Sequence, residues 1–330
     1  MPPPEPTGGG TLSRPAARPS SAALGIRFAL AAMVAFAVQD ATSKYLAAEY
    51  PPQFFIMIRY WLFAVFVTVI AARRSGGLRA VVSTRMPAVQ IFRGVLLAAQ
   101  IVIIVRSYDV FGLGATHAVF ALHPLLATLI AVPILGERIG WRRAMAVGLG
   151  FVGVLVILRP GLGVFRPEAL VALLAAAMMA TYSVTTRMVS RADGSAGPAF
   201  FWLGVAGAGA LTLIGPFYWT PMAPADWGWL LVHSTVAMAG HYCLIRALEA
   251  TEAVRIQPLT YLQMAFAIPV GALVFGEPVD LFVVLGMGLI IGAGLYAIWR
   301  EAQLGRRAAL AAAGPRGQAP PRNPPPGGAR

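Results

Sequence analysis

Charge is scarce in this chain, and acid scarcer still. Of 330 residues 12% are charged, 13 acidic against 26 basic, while 58% are hydrophobic and the mean hydropathy is +0.71. A chain with so little polar surface cannot wrap a single aqueous core, which excludes a soluble enzyme domain. Cys243 is the one cysteine, so no internal disulfide is possible. Lysine occurs once, at Lys44, and every other basic residue is arginine. No H-E-x-x-H, G-x-S-x-G or G-x-x-x-x-G-K-[ST] motif is present, so the sequence offers no catalytic residues and no means of driving transport with ATP by this chain alone. The four histidines lack metal-ligand spacing: His117 and His123 fall on different faces of one helix, and His233 and His241 are eight apart. Neither a metal nor a cofactor is expected.

What is present is apolar sequence in long uniform runs. A bilayer core needs about 20 apolar residues per spanning helix, and ten stretches meet that length: 25–46, 53–72, 87–107, 112–135, 141–158, 168–188, 198–218, 227–247, 254–275 and 279–299. Barrel strands would alternate every second residue, and these runs do not. The fold class is therefore an all-α membrane protein. The Ala-x-Ala at Ala35–Ala37 resembles a leader cleavage site, but the leader would be unusually long, so the first run is kept as a span. Residues 1–20 and 304–330, rich in Pro, Gly, Ala and Arg, read as disordered tails.

The net charge of +13 marks topology, not a nucleic-acid surface. Alternate loops carry Arg73, Arg74, Arg79, Arg85, Arg138, Arg142, Arg143, Arg187, Arg191, Arg246 and Arg255, eleven in all, against Arg106, Arg159 and Arg166 in the others. Cationic loops stay cytoplasmic, so both termini are expected inside, with Tyr218, Trp219, Trp227 and Trp229 at the outer interface.

An internal repeat appears at an offset of 140 residues: Gly136-Glu137 against Gly276-Glu277, and Gly148-Leu149 against Gly288-Leu289. The halves, 21–160 and 161–303, hold five spans each. An odd number makes the second half enter the membrane from the opposite side, giving two inverted repeats, an architecture of secondary transporters. Gly148 to Gly153 matches G-x-G-x-x-G, yet it lies inside a span with no preceding strand, so it reads as a helix-packing face. Gly288-x-x-x-Gly292 reads the same way, and either face would also serve a homodimer.

Ionisable groups at membrane depth persist against a partner or a water-filled cavity. Asp40 and Lys44, four apart, are placed to pair along the first span, with Arg59 close to the same end of the second; these three are the candidate gate or coupling group, where a structural brace is an equal alternative. Arg93 lies near the other end of the third span. Pro124 and Pro133 interrupt the fourth span, and Pro258 and Pro269 the ninth, which points to a central cavity between them. Its candidate substrate residues are His123, Gln257, Tyr261, Gln263 and Arg93; helix-to-helix glue is the competing role.

These residues resemble the EamA family of the drug/metabolite transporter superfamily. The stretches HPLLATLIAVPILGERIGWRRAMAVGLGFVGVLVILRPG and IRALEATEAVRIQPLTYLQMAFAIPVGALVFGEPVDLFVVLGMGLIIGAGLYAIWRE carry the likeness, with DATSKYL, Arg59 and the FRG around Arg93, over about residues 25–301. The resemblance implies ten helices, a bacterial inner-membrane location and alternating access. The expected function is secondary transport, by export, of a small polar or amphipathic metabolite, amino-acid-like, with the lipid bilayer, a small-molecule substrate and a coupling proton as partners. Vitamin or metabolite uptake, a membrane-embedded enzyme and a non-transporting membrane subunit remain the alternatives. The second repeat has Met264 where the offset places Pro124, and its first helix lacks the charged pair, so the halves are not expected to contribute equally.

Overall fold

The computed structural model describes residues 19–73, 77–136, 141–159, 167–193, 197–250 and 253–312. Its regular elements are all helical: α1 (Pro19–Ala47), α2 (Pro52–Arg73), α3 (Gly77–Val82), α4 (Pro87–Phe111), α5 (Leu113–Phe120), α6 (His123–Leu135), α7 (Trp141–Leu158), α8 (Ala169–Asp193), α9 (Gly197–Ile214), a 3-10 turn (Gly215–Tyr218), α10 (Pro224–Ala250), α11 (Ala253–Phe275) and α12 (Leu281–Ala312). Each of the ten expected stretches is helical. Seven of them, counting α5 and α6 together, are long and apolar enough to cross a membrane among the described residues.

Prolines and glycines set the boundaries. Pro87 opens α4 and Pro124 opens α6, where a missing N–H costs nothing. Gly112 ends α4 at φ +92°, a conformation that disfavours a side chain. Gly136 and Gly276, from the repeated Gly-Glu pairs, end α6 and α11 at φ +67° and +65°. At Gly136 the N–H returns to the Val132 carbonyl, which closes the last turn. The fourth expected span is thus two half-helices broken at Ala121 and Leu122, close to the Pro124 that announced an interruption.

Three differences from expectation concern the chain's ends, one connection and the glycines. The last helix continues to Ala312, and α1 begins at Pro19, so both reach past the boundaries drawn for the tails. A short helix, α3, follows α2 and buries no side chain. The glycines that bring α7 and α12 together are Gly153 and Gly286: a Cβ at Gly153 would lie 2.7 Å from the Gly286 carbonyl oxygen, and one at Gly286 would lie 2.5 Å from that of Gly153. Gly148, Gly288 and Gly292 face open space instead.

The two halves of the chain interleave. α1 packs on α10, α7 on α12, α2 and α4 on α9, α4 and α6 on α8, and α5 on α11. Leu213, Phe217 and Leu273 are among the large side chains left facing outward, as a lipid-facing surface requires. Tyr218, Trp219, Trp227 and Trp229 are exposed at the α9–α10 end, in the position of an interfacial aromatic belt.

Candidate functional site

The polar residues inside the bundle gather where α1, α4, α5, α10 and α11 meet. Asp40, from α1, is 6% exposed and accepts three contacts: Gln263 Nε2 donates to Oδ2 at 2.7 Å, Tyr108 Oη donates to Oδ1 at 3.1 Å, and His117 Nε2 lies 3.2 Å from Oδ2. Tyr108 and His117 stack, with ring centroids 5.5 Å apart, and their Oη and Nε2 are 3.2 Å apart. The imidazole tautomer with hydrogen on Nε2 fits this arrangement, because it donates toward Asp40 and leaves the buried Nδ1, which has no partner among the described residues, as a bare lone pair. Ser107 and Thr116 bond at 2.9 Å beside them. One turn along α1, Thr42 and Ser43 lie 3.1 and 3.5 Å from His233 Nδ1. Helices from both halves of the chain therefore converge on one carboxylate.

The expected pairing of Asp40 with Lys44 is not made. Residues four apart on a helix share a face, but the α11–α12 connection and α4 present better partners: Lys44 forms its ion pair with Glu277 and donates to the Tyr108 carbonyl at 3.2 Å. Glu277 also accepts the Leu113 and Gly114 N–H groups at the start of α5, where the helix dipole favours an anion. Gly112 admits it, since a Cβ there would lie 3.2 Å from a Glu277 carboxylate oxygen. Arg159 pairs with Asp280, and Tyr45 and Tyr50 donate to Asp226 at 3.1 and 2.7 Å, so several latches tie the two halves at this end of the bundle. A cavity of about 120 Å³ opens beside Glu277 and Asp280, lined by Phe111, Gly112 and Ile268.

A second network closes the opposite end. Asp193, at the end of α8, accepts Thr84 Oγ1 at 2.7 Å, the Arg85 N–H at 2.8 Å and Gln90 Nε2 at 3.0 Å. Burial opposes its ionisation, but these donors together with the Arg85 charge hold the carboxyl below its usual range. Gln90 then accepts from Arg93 Nη1 at 2.6 Å. Arg93 does not line an open space. It is 2% exposed, with Nη1 also on the Ala199 carbonyl, Nε on Thr186 and Nη2 on Tyr182, and it braces α4 against α8 and α9.

The remaining expected substrate residues do not converge. His123 is half-buried at the α5–α6 break, with Nδ1 3.0 Å from the Phe120 carbonyl. Tyr261 is buried against α12, its hydroxyl filling the place of a Gly294 side chain, and has no hydrogen-bond partner among the described residues. Between α5 and α11 the helices touch, with a Cβ at Gly114 only 3.1 Å from Ile268, so there is no wide gap at that point. The Gln257 side chain lies outside the described residues. Gln263 joins the cluster, through Asp40. Tyr108, His117, His233 and Glu277 are not legible as site residues in the sequence: a histidine or tyrosine in an apolar run is an ambiguous signal, and the Gly-Glu pair reads as a repeat marker.

Arg59, about two turns into α2, is 5% exposed and makes no ion pair with Asp40. Its Nη1 has no hydrogen-bond partner among the described residues. It borders a small cavity with Tyr60, Phe63, Leu203, Met238 and His241, about 10 Å³ in volume, room for a water and not for a metabolite.

Comparison with known proteins gives this polar core a context. The model of the EamA-like transporter family matches residues 23–159 and again residues 166–299. The chain belongs to that family. It is 24% identical to an S-adenosylmethionine uptake transporter of Rickettsia prowazekii, over 84% of this chain and 93% of the relative. A riboflavin transporter of Brucella anthropi is 24% identical over 77% and 91%, and a pseudopaline exporter of Pseudomonas aeruginosa 25% identical over 82% and 94%. A solved structure shares the fold with TM-score 0.55, at 19% identity, covering 88% of this chain and 99% of that one. This member of the EamA-like family is thus a membrane transporter of metabolites, and the buried Asp40 cluster lies within the matched region.

Proposed function

We propose that this chain is a secondary transporter that exports a small polar or amphipathic metabolite, amino-acid-like in character, across a bacterial inner membrane. It works by alternating access between two inverted five-helix repeats, 21–160 and 161–303, with both termini cytoplasmic. The observation that carries this is the convergence of helices from both halves on Asp40, Tyr108, His117 and Gln263, a titratable cluster deep inside an apolar bundle. Such a cluster is costly in a membrane and persists where it binds cargo or carries a proton. Asp40, held against His117, is the coupling residue. The latches through Glu277 at one end and Asp193 at the other are the two gates, and opening them in turn exposes the cluster to each side. The eleven-to-three arginine bias supports the orientation. S-adenosylmethionine, the cargo named for one group of relatives, is itself an amino-acid derivative, which supports the substrate class but not the direction.

Metabolite profiling of cells and medium, with and without the protein, tests both direction and cargo. An amino-acid-like compound is expected to accumulate outside expressing cells, and to fall to the control level when Asp40 is changed to Asn. Depletion of such a compound from the medium by expressing cells would reverse the direction and favour uptake.

A further inference from the structure

We propose that Arg59 is the subsite for a carboxylate of the transported metabolite, with the rings of Tyr60, Phe63 and His241 receiving the apolar part beside it; this rests on the transporter function above and deepens it. Buried cations elsewhere in the bundle are matched: Lys44 by Glu277, Arg159 by Asp280, and Arg93 by Gln90, Thr186, Tyr182 and the Ala199 carbonyl. Arg59 is as deeply buried, yet its Nη1 donates to nothing among the described residues and it is in no ion pair among them. Asp40 is near enough to act on it electrostatically, but its oxygens are engaged by Tyr108, His117 and Gln263. His233 and His241, from α10, also face it and bring no negative charge. An unmatched guanidinium at this depth is a cost that a bound anion would remove. The planar fork of arginine fits a carboxylate through two parallel N–H bonds, which an ammonium could not supply.

The location suits a site that opens and closes. Arg59 and its neighbours come from α2 and α4 in the first half and from α9 and α10 in the second, so relative movement of the halves changes the space directly. In the present conformation the cavity admits about one water, and both ends of the bundle are latched. Met238 in the wall is a flexible side chain able to give way. Tyr60 and Phe63 are held from behind by α9: a Cβ at Gly207 would lie 2.2 Å from the Tyr60 ring, and one at Gly204 would lie 3.2 Å from that of Phe63. The rings thus have a fixed wall on one side and the guanidinium on the other, an arrangement that recognises a carboxylate next to an apolar or aromatic group.

The test uses the purified full chain in lipid nanodiscs, titrated with matched acids and their neutral counterparts: L-methionine against L-methioninamide, and S-adenosylmethionine against its decarboxylated form. Riboflavin, which has no carboxylate, completes the set. Acids are expected to bind about tenfold or more tightly than their counterparts, the usual worth of a hydrogen bond to a charged group. Arg59→Gln should erase that preference, and Arg59→Lys should keep part of it, since the charge remains and the fork does not. Equal binding of acid and counterpart by the unaltered chain overturns the proposal without any variant, as does failure of both acids to bind. An Arg59→Gln protein that still prefers acids overturns it too. Riboflavin flux in proteoliposomes without any acid preference would leave the transporter function standing while removing the carboxylate subsite; absence of flux for every probe would count against the function itself.

Discussion

At the scale of single residues, the charges inside the bundle are organised by partners far away in the sequence. Lys44 and Glu277 are 233 positions apart, and each is mostly buried. Neutralising one leaves the other in an apolar setting, so the double change Lys44→Met with Glu277→Gln should restore part of the stability lost by either alone. A coupling on the order of 1 kcal/mol is expected, since the pair keeps some contact with solvent. Lys44→Met and Asp40→Asn should show much less coupling. Thermal unfolding of the four proteins in each cycle measures this, and strong coupling between Asp40 and Lys44 with none between Lys44 and Glu277 would contradict the assignment. Asp40, Lys44 and Arg59 were legible as special from the sequence because a charge in an apolar run announces its own cost. Their partners were not: helical spacing favours the nearest opposite charge, whereas the actual choice depends on which helix packs alongside. His117 and Tyr108 were hidden for a related reason, since their polarity is modest and only the neighbouring carboxylate gives it meaning.

At the scale of the helix, proline and glycine spoke clearly about where segments end and less clearly about which face packs. Pro124 foretold the break between α5 and α6, and the repeated Gly-Glu pairs mark the left-handed ends of α6 and α11. The G-x-G-x-x-G run promised close helix contact, but a run of glycines covers several faces and only packing selects one. Gly153 and Gly286 meet backbone to backbone, whereas Gly148 faces outward. Gly153→Leu should therefore destabilise by about 1–3 kcal/mol or prevent folding, the range for overpacking a tight contact. Gly148→Leu should be nearly neutral. Comparing melting temperatures and monodisperse yield in detergent decides the matter, and equal losses at both positions would mean that Gly148 has a partner of its own.

At the scale of the whole molecule, composition alone settled that the chain is a helical membrane protein, and the repeated motifs indicated its family. The site was only half readable. A cavity of about 120 Å³ does border the fourth and ninth spans, at Gly112, Gly114, Ala115 and Ile268, but it lies beside Glu277 at one end of the bundle; the polar cluster is centred on α1, because Asp40 draws Gln263 from α11 and Tyr108 and His117 from the first half. Latches at both ends with a nearly filled centre are what the proposed alternating carrier would show between its two open states. Solute counterflow tests that central claim most directly: proteoliposomes are loaded with the unlabelled metabolite that cellular profiling identifies, and a trace of the labelled compound is added outside. A carrier that alternates between sides should draw the label inward transiently above its equilibrium level, saturably, with the overshoot abolished by Asp40→Asn in protein of normal melting temperature. Label entry no faster than in protein-free liposomes, or entry that never overshoots, would contradict the account.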